Sequence, residues 1–357
     1  MTVVLLFPGG APDALEHMQK AVANGDRVIG ASSVPGDLAQ SFYPEWRYLP
    51  YITNPDFEAA LLRVLAETAV KVIYTRHLVI GRRLKELIEK HRLGVRLDTC
   101  AFAAPVIRVQ DMLMEQVRHP FLLGFDADAV PALTDIEKAS LLHHAAHIEG
   151  QSNEDKLLAL MEIFRHCPKG DVIEIGTFWG RSAFLLGWLA RKYDVGHMLC
   201  IDPWDTEAAY QEGVDTHLND AVKELDFESA FRGFQLNLIP YNQGHMNYIR
   251  ASSHAAWQRY KHRPLTLTTD TFGATGYEGK IACLHIDGNH DYQHVVQDIS
   301  DWVPLVCPGG WVVIDDYQWA FGDAPKVAAD AWMAKHQHQV ALSFTAGSAL
   351  FIKLRYD

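Results

Sequence analysis

Asp287, Asp315, Asp316 and His290 are the side chains in this sequence best placed to do chemistry. Asp287 ends the apolar run IACLHID (281 to 287) and leads into Gly288-Asn289-His290-Asp291-Tyr292; Asp315 ends WVVID (311 to 315) and is followed by Asp316 and Tyr317. An acid at the end of a buried strand has a rigid backbone and a side chain free to reach a cleft. Carboxylates clustered in this way repel unless a proton or a cation compensates them, and a hard divalent ion such as Mg²⁺ is the natural guest. His290, three residues past Asp287 in a turn, is then a candidate general base for a hydroxyl whose acidity the metal raises. The plainer reading is that Asp291 caps the following helix, Asp316 is surface, and His290 is one of 18 histidines without a role. For Asp291 that reading is adopted.

A second constellation lies upstream. The run DVIEIG (171 to 176) passes directly into Thr177-Phe178-Trp179-Gly180-Arg181-Ser182 and then a helical pattern. Gly176 allows the tight turn out of a strand, Gly180 lets backbone approach a ligand at a helix N-terminus, and Glu174 puts a carboxylate beside the same cleft. The motif is ExGxxxG rather than the three-glycine loop that seats a pyrophosphate. It suits a phosphate-free ligand with a cationic amino-acid end, such as S-adenosylmethionine. The next strand ends at Asp202, where an acid would bind ribose hydroxyls. The alternative is that the glycines only make a turn and Asp202 caps the polar segment behind it.

The elements that must position these residues alternate. In the first hundred residues, TVVLLF (2 to 7), a helix over 12 to 23, VIGAS (28 to 32), a helix over 56 to 68, KVIYT (71 to 75), a helix over 80 to 91 and GVRL (94 to 97) predict βα units and a parallel sheet. A boundary is expected near 100 to 130, where Pro105 and HPFLLGFDADAVP (119 to 131) interrupt the alternation, followed by a helix over 134 to 148. A helix over 153 to 166 then buries Leu157, Leu160, Met161 and Phe164, capped by Ser152 or Asn153. Strands at 171 to 176, 197 to 202, 281 to 287 and 311 to 315 follow, with helices at 181 to 192, 205 to 233, 291 to 304 and 325 to 335, a loop at 257 to 280, and a closing pair QVALSF and ALFIKL. The expected fold is α/β: a Rossmann-like domain with a doubly wound, mostly parallel sheet and an antiparallel C-terminal strand, preceded by a smaller α/β domain. The domain division is 1–105, a helical connector 106–150, and 151–357.

Composition narrows the function classes. The 357 residues carry 48% apolar and 21% charged side chains, which describes an ordinary globule rather than a disordered or repetitive chain. A formal charge of −12 does not suit a general phosphate-backbone binder, so no nucleic-acid partner is expected. The five cysteines are scattered without a CxxC pair, which indicates neither a disulfide framework nor a thiolate zinc site and fits a reducing cytoplasm. No run approaches the roughly 20 apolar residues of a membrane span, and the N-terminus lacks the basic region of a signal peptide.

EIGTFWGRS, CIDPW, HIDGNHDYQHVVQDISDWVPLVCPGGWVVIDDY and the connector with Glu149-Gly150 together resemble the class I S-adenosylmethionine-dependent methyltransferases of the macrocin O-methyltransferase and cephalosporin-hydroxylase-like group, over residues 145 to 357. The resemblance implies a Rossmann-like fold, S-adenosylmethionine as donor and Mg²⁺-dependent O-methylation of a small-molecule acceptor, a sugar or glycoside. By position it implies cofactor contacts from Glu149, Gly150, Glu174, Gly176, Thr177, Phe178, Gly180, Ser182, Asp202, Ser252, Ser253 and Asp287. Asp287, Asp315 and Asp316 become the metal acids, and His290 with Asp287 the catalytic pair. The first hundred residues resemble the Rossmann-like domain that precedes the nucleotide-binding part of ATP-grasp ligases, through FPGG, VIGASS and YLPYITNPDFEAALLRVL, and an auxiliary role is expected for them, with Gly9, Gly10 and Ser32 the only binding candidates. The 134 to 148 helix offers an interface for a homo-oligomer. Two rival functions remain: a metal-dependent hydrolase or hydroxylase-like enzyme on the same acids, and a non-catalytic nucleotide-binding scaffold.

Overall fold

The computed structural model describes residues 2–99, 104–118, 130–212, 216–262 and 264–356. They divide into two compact units, Met1–Met112 and Leu113–Asp357. The expected boundary run at 119 to 131 falls almost wholly outside the described residues, as does Cys100.

In the first unit, β1 (Val3–Leu6), α1 (Pro12–Ala23), β2 (Arg27–Ser32), β3 (Trp46–Tyr48), α2 (Phe57–Thr68), β4 (Val72–Tyr74), α3 (Leu78–Lys90) and β5 (Arg96–Asp98) build a five-stranded sheet in the order β3-β2-β1-β4-β5. Every pairing is parallel. The strands are apolar throughout because both faces are covered, with Leu5, Ile29 and Ile73 in one core and Val4, Leu6, Val28 and Val72 in the other. Strand β3 is too short and too polar to have been expected. Gly9 and Ser32 serve the scaffold: Tyr43 Oη donates to Gly9 O at 2.7 Å, and Ser32 Oγ accepts from Val34 N at 3.1 Å. Helix α4 (Ala104–Val117) follows.

The second unit contains α5 (Asp135–Ala146), α6 (Glu154–Ile163), β6 (Asp171–Ile175), α7 (Arg181–Lys192), β7 (Met198–Ile201), α8 (Thr206–Ala209), α9 (Thr216–Glu224), α10 (Phe227–Asn242), β8 (Met246–Ile249), α11 (Ser253–Tyr260), β9 (Leu265–Thr269), β10 (Gly273–Tyr277), β11 (Ile281–Ile286), α12 (Tyr292–Trp302), β12 (Val306–Ile314), α13 (Ala324–His336), β13 (Val340–Ala346) and β14 (Ala349–Leu354). Seven strands form one sheet in the order β13-β14-β12-β11-β6-β7-β8, with β6, β7, β8, β11 and β12 parallel and β14 antiparallel to both its neighbours. Alternate residues enter opposite cores. Val172, Cys200, Ala282 and Val313 pack with α5, α6, α7 and α10, whereas Ile173, Ile201, Leu284 and Ile314 pack with α11, α12 and α13. Helix α5 opens with a Thr134–Glu137 capping box and buries Leu141, Leu142 and Ala145 in the first of these cores.

Two expectations for this unit are corrected. The stretch 257 to 280 is not a loop: it completes α11 and then forms the β9–β10 hairpin, anchored where Asn247 Nδ2 donates to Gly273 O at 2.9 Å. The segment 205 to 233 is not one helix, since α8, α9 and α10 are separate, with residues 213 to 215 outside the description; the strand β8 after them, MNYI, was too short to stand out. Among the described residues no helix is long and apolar enough to cross a membrane, and Cys167, Cys200, Cys283 and Cys307 are free.

Candidate active site

Strands β6, β7, β11 and β12 end side by side, and the next residues are Gly176, Asp202, Asp287 and Asp315. Ligands of open parallel sheets bind beyond these strand ends. The turn after β6 lies against β11: Asp287 N donates to Ile175 O at 2.8 Å, and a Cβ on Gly176, whose φ is +81°, would sit 1.8 Å from Asp287 O. Only glycine fits there, for both reasons. Above these ends is a cavity of about 640 Å³, within the size range of small-molecule sites.

Of the expected cofactor residues, Glu149, Gly150, Gly176, Thr177, Phe178, Ser182, Asp202, Ser252, Ser253 and Asp287 line this cavity. Glu174 and Gly180 do not. Glu174 is fully buried on β6 with Oε1 3.0 Å from His285 Nδ1, and Gly180 is the left-handed N-cap of α7, packed on Phe234 and Leu238. Asp202 cross-links the turns around it. Its Oδ2 accepts from Thr177 N (2.9 Å) and Phe178 N (2.8 Å) and its Oδ1 from Trp204 N (2.6 Å). Burial raises its carboxyl above the ordinary value while these amides pull it back. Arg181, which the sequence reading passed over, staples the Glu149–Ser152 wall to α7 by donating to Ala145 O at 2.9 Å and Gly150 O at 2.6 Å.

The acids are divided by a residue that sequence reasoning missed. Lys156, on α6, is completely buried; its ammonium is hydrogen-bonded to Asp315 Oδ2 and lies 3.7 Å from Asp287 Oδ2. Asp315 Oδ1 accepts from Asp316 N (3.0 Å) and Ser348 Oγ (3.1 Å). Both oxygens of Asp315, expected among the metal acids, are therefore engaged within the protein. Burial opposes the charge on Lys156, but Asp315 and Asp287 hold its pKa above the ordinary value. Burial likewise opposes ionisation of Asp315, and the Lys156 ammonium overcomes it, keeping the carboxyl well below the usual carboxylate range. Asp287 goes the other way, raised by burial and then by the charge of Asp315. The helical pattern did carry a signal: Lys156 falls beside Leu157 and four residues before Leu160, on the apolar face.

Asp287, His290 and Asp316 remain together at the cavity, each offering a ligand atom within 4.8 Å of the others. Two carboxylate groups facing a cavity fit a hard divalent cation. His290 Nε2 is 3.0 Å from Asp316 Oδ2, and its ring lies 4.5 Å from that of Trp319. Asp291 stands at the N-cap of α12 but, contrary to expectation, makes no capping bond; its carboxylate accepts from Glu212 N at 2.9 and 3.0 Å.

At the far end, Asp298 lines the cavity near Ser253, and burial raises its carboxyl to about 7 from 3.8. The folded state thus binds more protons than the unfolded state between these values, so stability falls as pH rises from about 4 to 7 and levels off above. Asp298→Asn is expected to remove that slope, about 1.4 kcal/mol per pH unit at most. Melting temperatures of both proteins across this range check it; parallel curves would refute it.

The seven-stranded sheet carries the antiparallel β14 between β12 and β13, and the cavity lies over the ends of its parallel strands. The family described as Methyltransferase domain matches residues 173–317, the stretch from β6 to the end of the acidic turn, and this part of the chain is similar to it. This favours the methyltransferase over the hydrolase reading. Similar solved structures include the O-methyltransferase NovP, 18% identical over 71% of this chain and 99% of its own, with a TM-score of 0.40. CalS11, a TDP-rhamnose 3'-O-methyltransferase of calicheamicin biosynthesis, is 13% identical over 70% of this chain and 94% of its own, with a TM-score of 0.35. The MycE methyltransferase of the mycinamycin pathway, in complex with Mg and S-adenosylhomocysteine, is 13% identical over 55% and 47%, with a TM-score of 0.32. No curated protein matches the chain.

Proposed function

We propose that the protein transfers the methyl group of S-adenosylmethionine to a hydroxyl oxygen of a sugar or sugar-containing small molecule. The observation that carries this reading is the single cavity with a glycine turn and Asp202 on one wall and Asp287, His290 and Asp316 on another. The acceptor class follows the resemblance of IDGNHDY and PGGWVVIDD to the macrocin group. The acceptor oxygen would take the methyl carbon as that carbon's bond to sulfur breaks, and His290 would receive the hydroxyl proton. Asp287 and Asp316 would hold a Mg²⁺, which when bound supplies acidity to the acceptor hydroxyl. Asp202 would leave one of its amides for the ribose, and the wall from Glu149 to Ser152 would receive the methionine end. Positioning of the donor and the acceptor in one cavity contributes the larger share of the rate.

Calorimetric titration with S-adenosylmethionine, with and without Mg²⁺, tests the reading. Saturable binding is expected, and Asp316→Asn should keep that binding while losing the response of turnover to Mg²⁺. No saturable binding by the native chain would overturn the methyl-transfer reading. An unchanged Mg²⁺ response in Asp316→Asn would take that residue out of the metal site.

A further inference from the structure

The chain leaves β12 through Asp315 and Asp316, and the left-handed φ of +51° at Asp316 turns it sharply. The residues that follow are pinned from two sides: Gln318 N donates to Ser348 O at 3.0 Å, and Tyr317 Oη donates to Asp330 Oδ1 at 2.8 Å. Trp319 then pairs with Gly322 in a short antiparallel bridge, with the indole against it; a Cβ at Gly322 would lie 3.5 Å from Cε3 and Cζ3. The half-buried Trp319 ring lies 4.5 Å from that of His290, which lines the cavity, and 5.4 Å from that of Phe321, itself 47% exposed. His290 has a further neighbour in Gln211, whose amide nitrogen lies 3.0 Å from Nδ1. Asn289 Nδ2 fastens that segment by donating to Ala208 O (3.1 Å) and Tyr210 O (2.8 Å), and Tyr210, 49% exposed, lines the cavity as well.

We propose that Trp319, with Phe321 beside it, is the surface on which the acceptor's ring lies, and that the site takes this ring uncharged rather than phosphorylated; this rests on the reading of the cavity as one for methyl transfer to a hydroxyl. Covering exposed aromatic surface is favourable, and contiguous exposed rings beside a polar site mark where a ligand completes the burial. A pyranose suits such a surface, since one face presents C–H groups to the indole while the hydroxyls at its edge stay free for the acids. A ring resting on Trp319 brings that edge beside His290 and Asp316. The charge of the cavity carries the second half. Among the described residues, seven carboxyl groups line it against one guanidinium, Arg181, which is spent on Ala145 O and Gly150 O. A Mg²⁺ would balance Asp287 and Asp316, and the amides around Asp202 satisfy that acid. Glu149, Asp205 and Glu207 remain, each without an ion pair among the described residues. A phosphate on the acceptor would meet like charge there and lose affinity.

Titration of the ¹⁵N-labelled protein, with and without S-adenosylhomocysteine, tests this through the indole N–H resonance of Trp319, assigned by its loss in Trp319→Phe. The probes are methyl α-glucopyranoside and methyl α-xylopyranoside, with sorbitol as the open-chain control and glucose 1-phosphate as the charged one. Both pyranosides should shift the resonance saturably and sorbitol should not. Glucose 1-phosphate should bind about fivefold or more weaker, and the gap should narrow as added salt screens the repulsion. Saturation transfer from protein to sugar protons should report a Kd for the pyranosides raised about fivefold or more in Trp319→Ala and near native in Trp319→Phe, which keeps a ring. The Kd for S-adenosylhomocysteine should stay within about twofold of native in both variants, as expected of a residue that meets only the acceptor. A resonance unmoved by either pyranoside, or native pyranoside binding in Trp319→Ala, would overturn the platform, and equal binding of glucose 1-phosphate would overturn the selection by charge. Should the native chain fail to bind S-adenosylhomocysteine, the methyl-transfer reading falls, while a pyranoside response at Trp319 still upholds the platform.

Discussion

Lys156→Met is expected to lower stability by about 3–5 kcal/mol, the usual consequence of removing one partner from a buried ion pair, which in a unit of this size is a fall in melting temperature on the order of 10 °C. The loss does not come from packing, since methionine fills similar volume on the same helix face. It comes from leaving Asp315, 6% exposed, and Asp287 close together with no cation between them. The raised carboxyl of Asp287 would rise further, and Asp315 would lose the partner that keeps it ionised. Two companions identify the cause. Adding Asp315→Asn to Lys156→Met should recover much of the stability, because the two effects share one interaction and do not add. Divalent cations should stabilise Lys156→Met more than the native chain, since the acids then have a vacant charge to fill. Thermal denaturation of the three proteins decides the matter, and an unchanged melting temperature in Lys156→Met would remove the ammonium from the account.

His290→Ala is expected to cut kcat by about 10²–10⁴, the range for loss of a positioned general base, while S-adenosylmethionine binds as before. The ring lines the cavity, held between Gln211, Asp316 and Trp319, whereas the residues proposed for the cofactor lie along the walls from Glu149 to Ser182 and at Ser252 and Ser253. Its removal should therefore affect the proton and leave the donor in place. Calorimetry and turnover measured on one preparation separate the two, and near-native turnover would exclude the histidine from proton removal.

Much of this arrangement was legible in the sequence because it is built from strand ends. Apolar runs of five or six residues bounded by glycine or acid reported β6, β7, β11 and β12, and in a parallel sheet the residue after each run must lie at the same edge. Asp202, Asp287 and Asp315 follow from that alone. What escaped was decided by contacts across the sheet. Glu174, read as facing the cleft, points instead to His285 on the neighbouring strand, a pairing fixed by the parallel register of β6 and β11. Lys156 left a trace, a lysine on an apolar helix face, but its partners lie far along the chain. Gln211 left none: a polar residue in a polar segment gains meaning only when Asn289 and Asp291 bind that segment back. Asp291 looked like a helix cap for the same reason, its position being local and its hydrogen bond distant.

The last strand carries a consequence for the order in which the molecule can be made. β14 does not lie at the rim of the sheet but is threaded between β12 and β13, and the turn joining β13 to β14 brings Ser348 onto Asp315. In the same turn Gly347 comes so near the α6 cap that a Cβ would lie 2.2 Å from Asn153 Oδ1, one helical turn from Lys156. On a growing chain the glycine turn, Asp202, Asp287 and Lys156 all emerge long before the strand that closes the sheet around Asp315. A nascent polypeptide halted before Ser348 would therefore possess every acid of the site yet lack the serine and the strand that lock them.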